Sequence, residues 1–247
     1  MSMNYAMPLE LGGVEAALNQ MYLPPEAAEL KQFLDLHIIL PLCQEGLLDS
    51  YSADPQYLGD SQIPQAVAIQ CGGKWDFKAK LVCWGPEFVP QEGLLEVREA
   101  PQVFQIRPPA PQLSVEKFLE SFWLDYADWN DWAYALSERI EAENPGQYEH
   151  YNEIDAAYAG LLQAYCVADF NSSGASFDSI SKHHPRTESI IAQAQSGDAR
   201  LIYTRSLSIV EGTRLTSFYE YQLQQQAGVW RIVQLNYVND EGKWGIL

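Results

Sequence analysis

The chain of 247 residues has few basic residues: it contains 15 lysines and arginines and 33 aspartates and glutamates, which gives a formal net charge of −18. Its basic residues are scattered singly, whereas phosphate binding needs clustered lysine and arginine. We therefore expect neither nucleic acid nor an anionic membrane as a partner, since a polyanion repels both. The surplus of acids has two interpretations: solubility alone, which we favour, or a negative field that attracts basic proteins and raises the rate at which they associate.

Long apolar runs and paired cysteines are also missing. No stretch approaches the roughly 20 apolar residues that cross a bilayer, and the first residues lack the basic-then-apolar pattern of a secretory signal. The four cysteines form no C-x-x-C pair, and none lies at metal-ligand spacing from a histidine. These features predict a cytoplasmic protein whose cysteines are reduced and buried.

Catalytic motifs are absent as well: the chain contains no glycine-rich phosphate loop, no G-x-S-x-G and no H-E-x-x-H. The pair His183-His184 is the most site-like feature, but adjacent side chains point apart, and a third metal ligand would have to come from Asp178 or Glu188. We favour a loop or helix-entry role, with Pro185 setting the backbone. The sequence therefore predicts a protein that is not an enzyme, with no catalytic residue, metal site or cofactor.

What the chain does contain is enough apolar material, 47% of its residues, for a real core. Helical spacing of apolar residues predicts a helix over residues 14–22, and a second helix from Pro25 that Pro41 ends or kinks. Short runs rich in β-formers then predict a small antiparallel sheet. These runs are residues 66–69, 80–84, 94–97 and 103–106.

A long helix is predicted from the N-cap Ser114 to about Glu143, with a broad aromatic face and an acidic face. Its aromatic residues cover more than half of the helical wheel. Either the helix lies between two domains, which we favour, or its outer edge is an aromatic-acidic patch that binds a basic partner. The candidate partner-binding residues are Trp123, Asp125, Asp128, Trp129, Asp131 and Trp132.

After a break at Asn144-Pro145-Gly146 the pattern predicts a helix over 154–165 and a shorter helix within 177–195. Period-two alternation then predicts three long antiparallel strands over 201–210, 215–224 and 229–237. The predicted fold class is α+β, with a curved sheet packed on helices. Three divisions are predicted: 1–111, a small mixed α+β domain; 112–144, an acidic aromatic connecting helix; and 145–247, the curved-sheet domain.

The last 95 or so residues, from Asn152 onward, resemble the nuclear-transport-factor-2-like fold, and more narrowly the bacterial polymorphic-toxin immunity proteins built on it. The matching segments are H-P with E-S-I-I at 184–191, Y-T-R at 203–205, Y-E-Y-Q-L at 219–223, G-V-W-R-I at 228–232 and G-K-W at 242–244. The resemblance implies a protein that neutralises a cognate, possibly basic, toxin through a non-catalytic complex. It transfers no catalytic residue to this chain.

Two alternatives stay open. Related folds include isomerases and dehydratases that work inside a conical pocket, and such a pocket could hold a small molecule here. Its candidate lining is Tyr203, Tyr219, Tyr221 and Tyr237 with the carboxylates of Asp169 and Asp178. Cross-strand packing of these tyrosines is the simpler interpretation, and we favour it. The other alternative is a purely structural interaction module.

Overall fold

The computed structural model describes residues 1–88, 100–143, 151–210 and 212–246. The strand predicted at 94–97 and the break predicted at Asn144-Pro145-Gly146 lie outside these residues. The fold is α+β, with a large antiparallel sheet packed on helices. Within the described ranges, no helix has the length and apolarity that crossing a membrane would require.

The helices are α1 (Pro25–Phe33), α2 (Leu40–Gln44), α3 (Val115–Glu143) and α4 (Asn152–Tyr165), and a π-helical segment, Leu34–Ile39, joins α1 to α2. The strands are β1 (Ser2–Tyr5), β2 (Gln20–Leu23), β3 (Ser52–Gln56), β4 (Ala66–Cys71), β5 (Asp76–Val82), β6 (Glu188–Ser196), β7 (Ala199–Val210), β8 (Thr213–Gln226), β9 (Val229–Asn239) and β10 (Gly242–Gly245). β1 and β2 form a two-stranded sheet, and the others form an open sheet in the order β10-β9-β8-β7-β6-β5-β4-β3.

The chain divides into two compact units that are discontinuous in sequence. Unit 1 comprises Met1–Pro90, Ile191–Tyr203 and Val238–Gly242, and unit 2 comprises Gln91–Ile190, Thr204–Tyr237 and Lys243–Leu247. Strands β6, β7, β9 and β10 thus contribute residues to both units, which continuous divisions at 111 and 144 did not anticipate. The three predicted divisions themselves stay a prediction.

Unit 1 has an apolar core between its helices and strands. Leu23, Leu34, Ile39, Val67 and Ile69 are fully buried in it. The helix predicted over 14–22 is wrong, because residues 20–23 form β2. There the buried residues alternate with exposed ones, which is the period of a strand and not of a helix.

The helix predicted from Pro25 is confirmed, and it passes Pro41 instead of ending there. Pro41 has no backbone N–H to donate, and its ring crowds the preceding turn of an α-helix. The π-helical segment immediately before α2 changes the hydrogen-bond spacing at that point. The chain therefore continues as α2 through Pro41 to Gln44.

Unit 2 is built around α3, whose start at Ser114 is confirmed: the Ser114 hydroxyl oxygen accepts a 3.3 Å hydrogen bond from the Lys117 backbone N–H. The predicted helix at 154–165 and the three long strands are also confirmed. Two predictions are wrong. The helix expected within 177–195 is largely β6, where the branched Ile190 and Ile191 suit a pleated surface. Residues 103–106 form no strand.

Candidate functional site

The six candidate partner-binding residues lie on α3, and the structure buries most of them. Trp123, Trp129, Trp132 and Asp125 are each less than 7% exposed, whereas Asp128 and Asp131 are half-buried. The helix is buried over more than half of its circumference, as the spread of its aromatic residues predicted. The six side chains therefore do not form one exposed surface. Whether any of them binds a partner stays a prediction.

Asp125 has an internal role that the sequence did not suggest. Its carboxylate accepts hydrogen bonds from the Arg107 backbone N–H at 2.8 Å, from Arg107 Nε at 2.7 Å and from the Tyr165 hydroxyl at 2.9 Å. The Arg107 guanidinium also pairs with Asp128. Residues 100–111 have no helix or strand, so these bonds fasten that segment to α3. This use explains a carboxylate inside an aromatic face.

A second buried polar cluster in unit 2 joins residues that are far apart in sequence. Glu188 begins β6, Thr204 lies on β7 and Tyr221 lies on β8, and because these strands are neighbours the three side chains meet. The Thr204 hydroxyl donates to Glu188 Oε1 at 2.5 Å, and the Tyr221 hydroxyl donates to the same oxygen at 2.8 Å. We call this group, with His183 and Trp123, the Glu188 network.

His183 completes the network from the loop that precedes β6. Its Nδ1 lies 2.8 Å from Glu188 Oε2 and 2.9 Å from the Tyr221 hydroxyl oxygen, which in turn accepts a 2.9 Å bond from Trp123 Nε1. A carboxylate only accepts hydrogen bonds, so we assign the ring proton to Nδ1. His183 Nε2 is buried and has no hydrogen-bond partner among the described residues.

Aromatic rings enclose this histidine. The rings of Tyr219, Tyr126 and Phe122 have centroids 4.6, 4.9 and 5.9 Å from that of His183. Neither His183 nor Tyr221 is exposed to solvent. Burial, and after it the charge of Glu188, raises the pKa of Tyr221 well above its usual value, so this phenol keeps its proton at neutral pH.

The histidine–carboxylate pair resembles part of a catalytic site, but it is buried away from solvent. A carboxylate that orients the Nδ1–H of a histidine, and leaves Nε2 free, is how many hydrolases position a general base. Here the histidine is completely buried, and the carboxylate satisfies three neighbours. Asp169 and Asp178, the two carboxylates that the sequence offered for a pocket, are exposed. The buried acid is Glu188, which the sequence suggested only as a remote metal ligand.

The remaining buried acids follow one rule: each has an internal basic partner. Asp35 pairs with Lys31 at 2.6 Å in unit 1, and Glu220 pairs with Lys243 at 2.5 Å in unit 2. Glu220 also accepts a 3.0 Å bond from the Asn236 amide. Over the described ranges, no group of three or more histidine, cysteine, aspartate or glutamate side chains could hold a metal ion.

The thiols offer no evident nucleophile. All four are free, Cys71, Cys83 and Cys166 are buried, and Cys43 is half-buried. Burial raises the pKa of Cys83 to about 11 and those of Cys71 and Cys166 to about 12. A thiol that stays protonated at neutral pH is a weak nucleophile and a weak metal ligand. The expectation of buried cysteines is thus confirmed for three of the four.

The described residues therefore combine a charged surface with a few buried acids that are paired internally. Unit 2 holds the Glu188 network and the Arg107–Asp125 contact, and unit 1 holds the Lys31–Asp35 pair. Comparison of the chain with protein-family models, with curated proteins and with solved structures finds no match to any of the three.

Proposed function

We propose that this protein is an immunity-type binding protein that neutralises a cognate toxin by forming a complex without catalysis. A nuclear-transport-factor-2-like topology for the C-terminal strands and a location in the bacterial cytoplasm belong to the same proposal. So does the nature of the toxin: a protein with a basic surface. The proposal rests on which acidic side chains are buried and which are exposed.

The main observation in support of the proposal is that most of the described acidic side chains are exposed at the surface. The only buried acids among the described residues are Asp35, Asp125, Glu188 and Glu220, and each is paired internally with a base or a histidine. Internal pairing uses acids and bases in nearly equal number, so it leaves the net charge of −18 almost untouched. All other described acids are at least partly exposed. A surface of this kind attracts a basic protein and accelerates their association.

The direct test is neutralisation. A protein encoded beside this one that stops growth when expressed alone is expected to be harmless when both are expressed, and to co-purify with this chain. Growth arrest that persists at equal expression, with no complex formed, would contradict the proposal.

Association kinetics test the role of the half-buried acids of α3. The variant Asp128→Asn with Asp131→Asn is expected to bind that partner several-fold more slowly at low salt, with a flatter salt dependence, because two steering charges are lost. Asp54→Asn with Asp60→Asn is the matched control, since it removes the same charge from exposed positions of unit 1. Equal slowing by both variants would assign the effect to net charge and not to this edge of α3.

One observation favours the alternative of a small-molecule binder or an isomerase- or dehydratase-like enzyme: the buried His183 Nε2 has no hydrogen-bond partner among the described residues. Diethyl pyrocarbonate modifies unprotonated imidazole nitrogens, so it reports whether a small molecule reaches this atom. We expect peptide mapping to find His183 unmodified in the native protein and modified after unfolding in urea. Rapid native modification at His183 would instead support a site for small molecules.

A further inference from the structure

Unit 1 presents an apolar surface that nothing described so far explains. Of the 14 large hydrophobic side chains that are exposed among the described residues, six lie within the first 22. They include Val14, which is 64% exposed, and Leu18, which is completely exposed. They belong to one short segment of the chain, and a large exposed apolar area usually marks an interaction site. We name the group Met3, Leu9, Val14, Leu18 and Tyr22 the N-terminal apolar surface.

The hairpin of β1 and β2 orients part of this surface. In the antiparallel register Met3 lies directly opposite Tyr22, so the two side chains share one face. Met21 and Leu23 point to the other face and are almost completely buried in the core of unit 1. Because strand side chains alternate, burying Met21 and Leu23 fixes the outward direction of Met3 and Tyr22.

The loop between the two strands is held in place by a single amide side chain. Asn19 Nδ2 donates to the backbone oxygens of Met7 at 2.8 Å and Val14 at 2.9 Å, and Asn19 Oδ1 accepts from the Met7 N–H at 2.7 Å. The Ala6 N–H donates to the Asn19 carbonyl oxygen at 2.7 Å. Val14 and Leu18 are therefore displayed on an ordered loop, which lowers the entropy lost when a partner binds.

The segment that carries this surface is acidic. Residues 1–30 contain Glu10, Glu15, Glu26 and Glu29 and no lysine, arginine or histidine. All four glutamates are exposed. The first base in the chain, Lys31, is buried against Asp35 and adds nothing to the outer charge. The segment that carries these apolar residues therefore has four acidic side chains and no basic ones.

We propose that the N-terminal apolar surface is where the partner docks, and that the partner contributes a segment with apolar side chains flanked by lysine or arginine. This inference rests on the proposed function and assigns a location to it. A second copy of this chain would bring four glutamates against four glutamates, and like charges in a contact are costly. The four glutamates would also repel an anionic membrane. A basic, apolar protein segment matches both features.

Matched triple variants test the location. Val14→Thr, Leu18→Thr and Tyr22→Thr together remove apolar groups from the surface and keep the net charge. Val103→Thr, Leu58→Thr and Tyr57→Thr change the same three residue types at exposed positions elsewhere. The probes are a labelled synthetic peptide of leucine and lysine and its counterpart in which glutamate replaces lysine, both followed by fluorescence anisotropy at low salt.

We expect the lysine peptide to bind the first triple variant about tenfold more weakly than the original protein, and the control variant within about twofold, since a few apolar anchors dominate such contacts. The glutamate peptide should not bind. Equal binding of the lysine peptide to all three proteins would overturn the location, and binding of the glutamate peptide would overturn the charge of the partner. A dimer of the original protein that the first variant dissociates, seen by sedimentation, would show a second copy as the occupant and overturn the proposal.

The neutralisation assay, repeated with the first triple variant, tests this inference separately from the proposed function. If the first triple variant binds and neutralises the toxin as well as the original protein does, the docking surface is wrong and the proposed function stands. If no neighbouring protein is neutralised but the lysine peptide still distinguishes the two triple variants, the proposed function fails and the surface stands as a docking site for another basic protein.

Discussion

Replacing Glu188 with alanine is expected to lower the free energy of unfolding by about 3–5 kcal/mol, because it leaves several buried polar groups without an acceptor. The His183 ring N–H, the Thr204 hydroxyl and the Tyr221 hydroxyl all point to this one carboxylate. None of these groups can turn to solvent, since all are buried. The measurement is urea unfolding followed by tryptophan fluorescence, which Trp123 in the same network reports.

Two comparisons sharpen this test. Glu188→Gln keeps one oxygen for the Thr204 and Tyr221 hydroxyls, so it is expected to cost less than the alanine variant. Glu153→Ala removes an exposed acid of α4 and is expected to change the unfolding free energy by no more than about 0.5 kcal/mol. A loss at Glu188→Ala as small as that at Glu153→Ala would mean that the Glu188 network is not formed in solution.

Replacing Lys31 with methionine while leaving Asp35 in place is expected to destabilise the protein by about 3–5 kcal/mol, because a buried carboxylate loses its cation. The double variant Lys31→Met with Asp35→Leu is expected to be as stable as the original protein or more stable at pH 7. Burial lowers the pKa of Lys31 and raises that of Asp35 in spite of their mutual attraction. The folded state therefore disfavours both charges relative to the unfolded chain.

Tyr51 makes this double replacement feasible. Its hydroxyl lies 2.9 Å from Asp35 Oδ1 and 3.1 Å from the Ala6 carbonyl oxygen, so it can donate to Ala6 when the carboxylate is gone. The matched control is the exposed pair Lys80–Glu87, whose members are 50% and 63% exposed. The same exchange there, Lys80→Met with Glu87→Leu, is expected to shift the stability by about 1 kcal/mol or less. A double variant at Lys31 and Asp35 that is as unstable as Lys31→Met alone would refute the argument.

Local pattern was a good guide where an element is long. The strands β7, β8 and β9 have 12, 14 and 11 residues, enough for period-two alternation to be recognised, and α3 begins at Ser114 because a hydroxyl can accept from a free N–H of the first turn. The pattern failed where a segment is short. Residues 20–23 contribute only two buried side chains, too few to distinguish a strand from the end of a helix.

The candidate site shows the same limit more clearly. Sequence spacing placed Asp125 at the acidic edge of α3, and it could not show that this carboxylate is buried or that Arg107 reaches it from an irregular segment. It singled out His183 and grouped Tyr221 with a possible pocket, yet assigned Glu188 to a helix. A strand at that position is what brings its carboxylate beside Thr204 and Tyr221.

The sequence alone established the acid surplus, the scarcity of clustered bases and the α+β class, since charge adds up over a chain and periodicity is a local property. Which acids are inside, which of them meet a base, and which apolar side chains stay in solvent were decided only in three dimensions. Trp123 and Tyr221 are 98 residues apart and share a hydrogen bond. Such a contact depends on how strands and helices pack, and no local pattern encodes it.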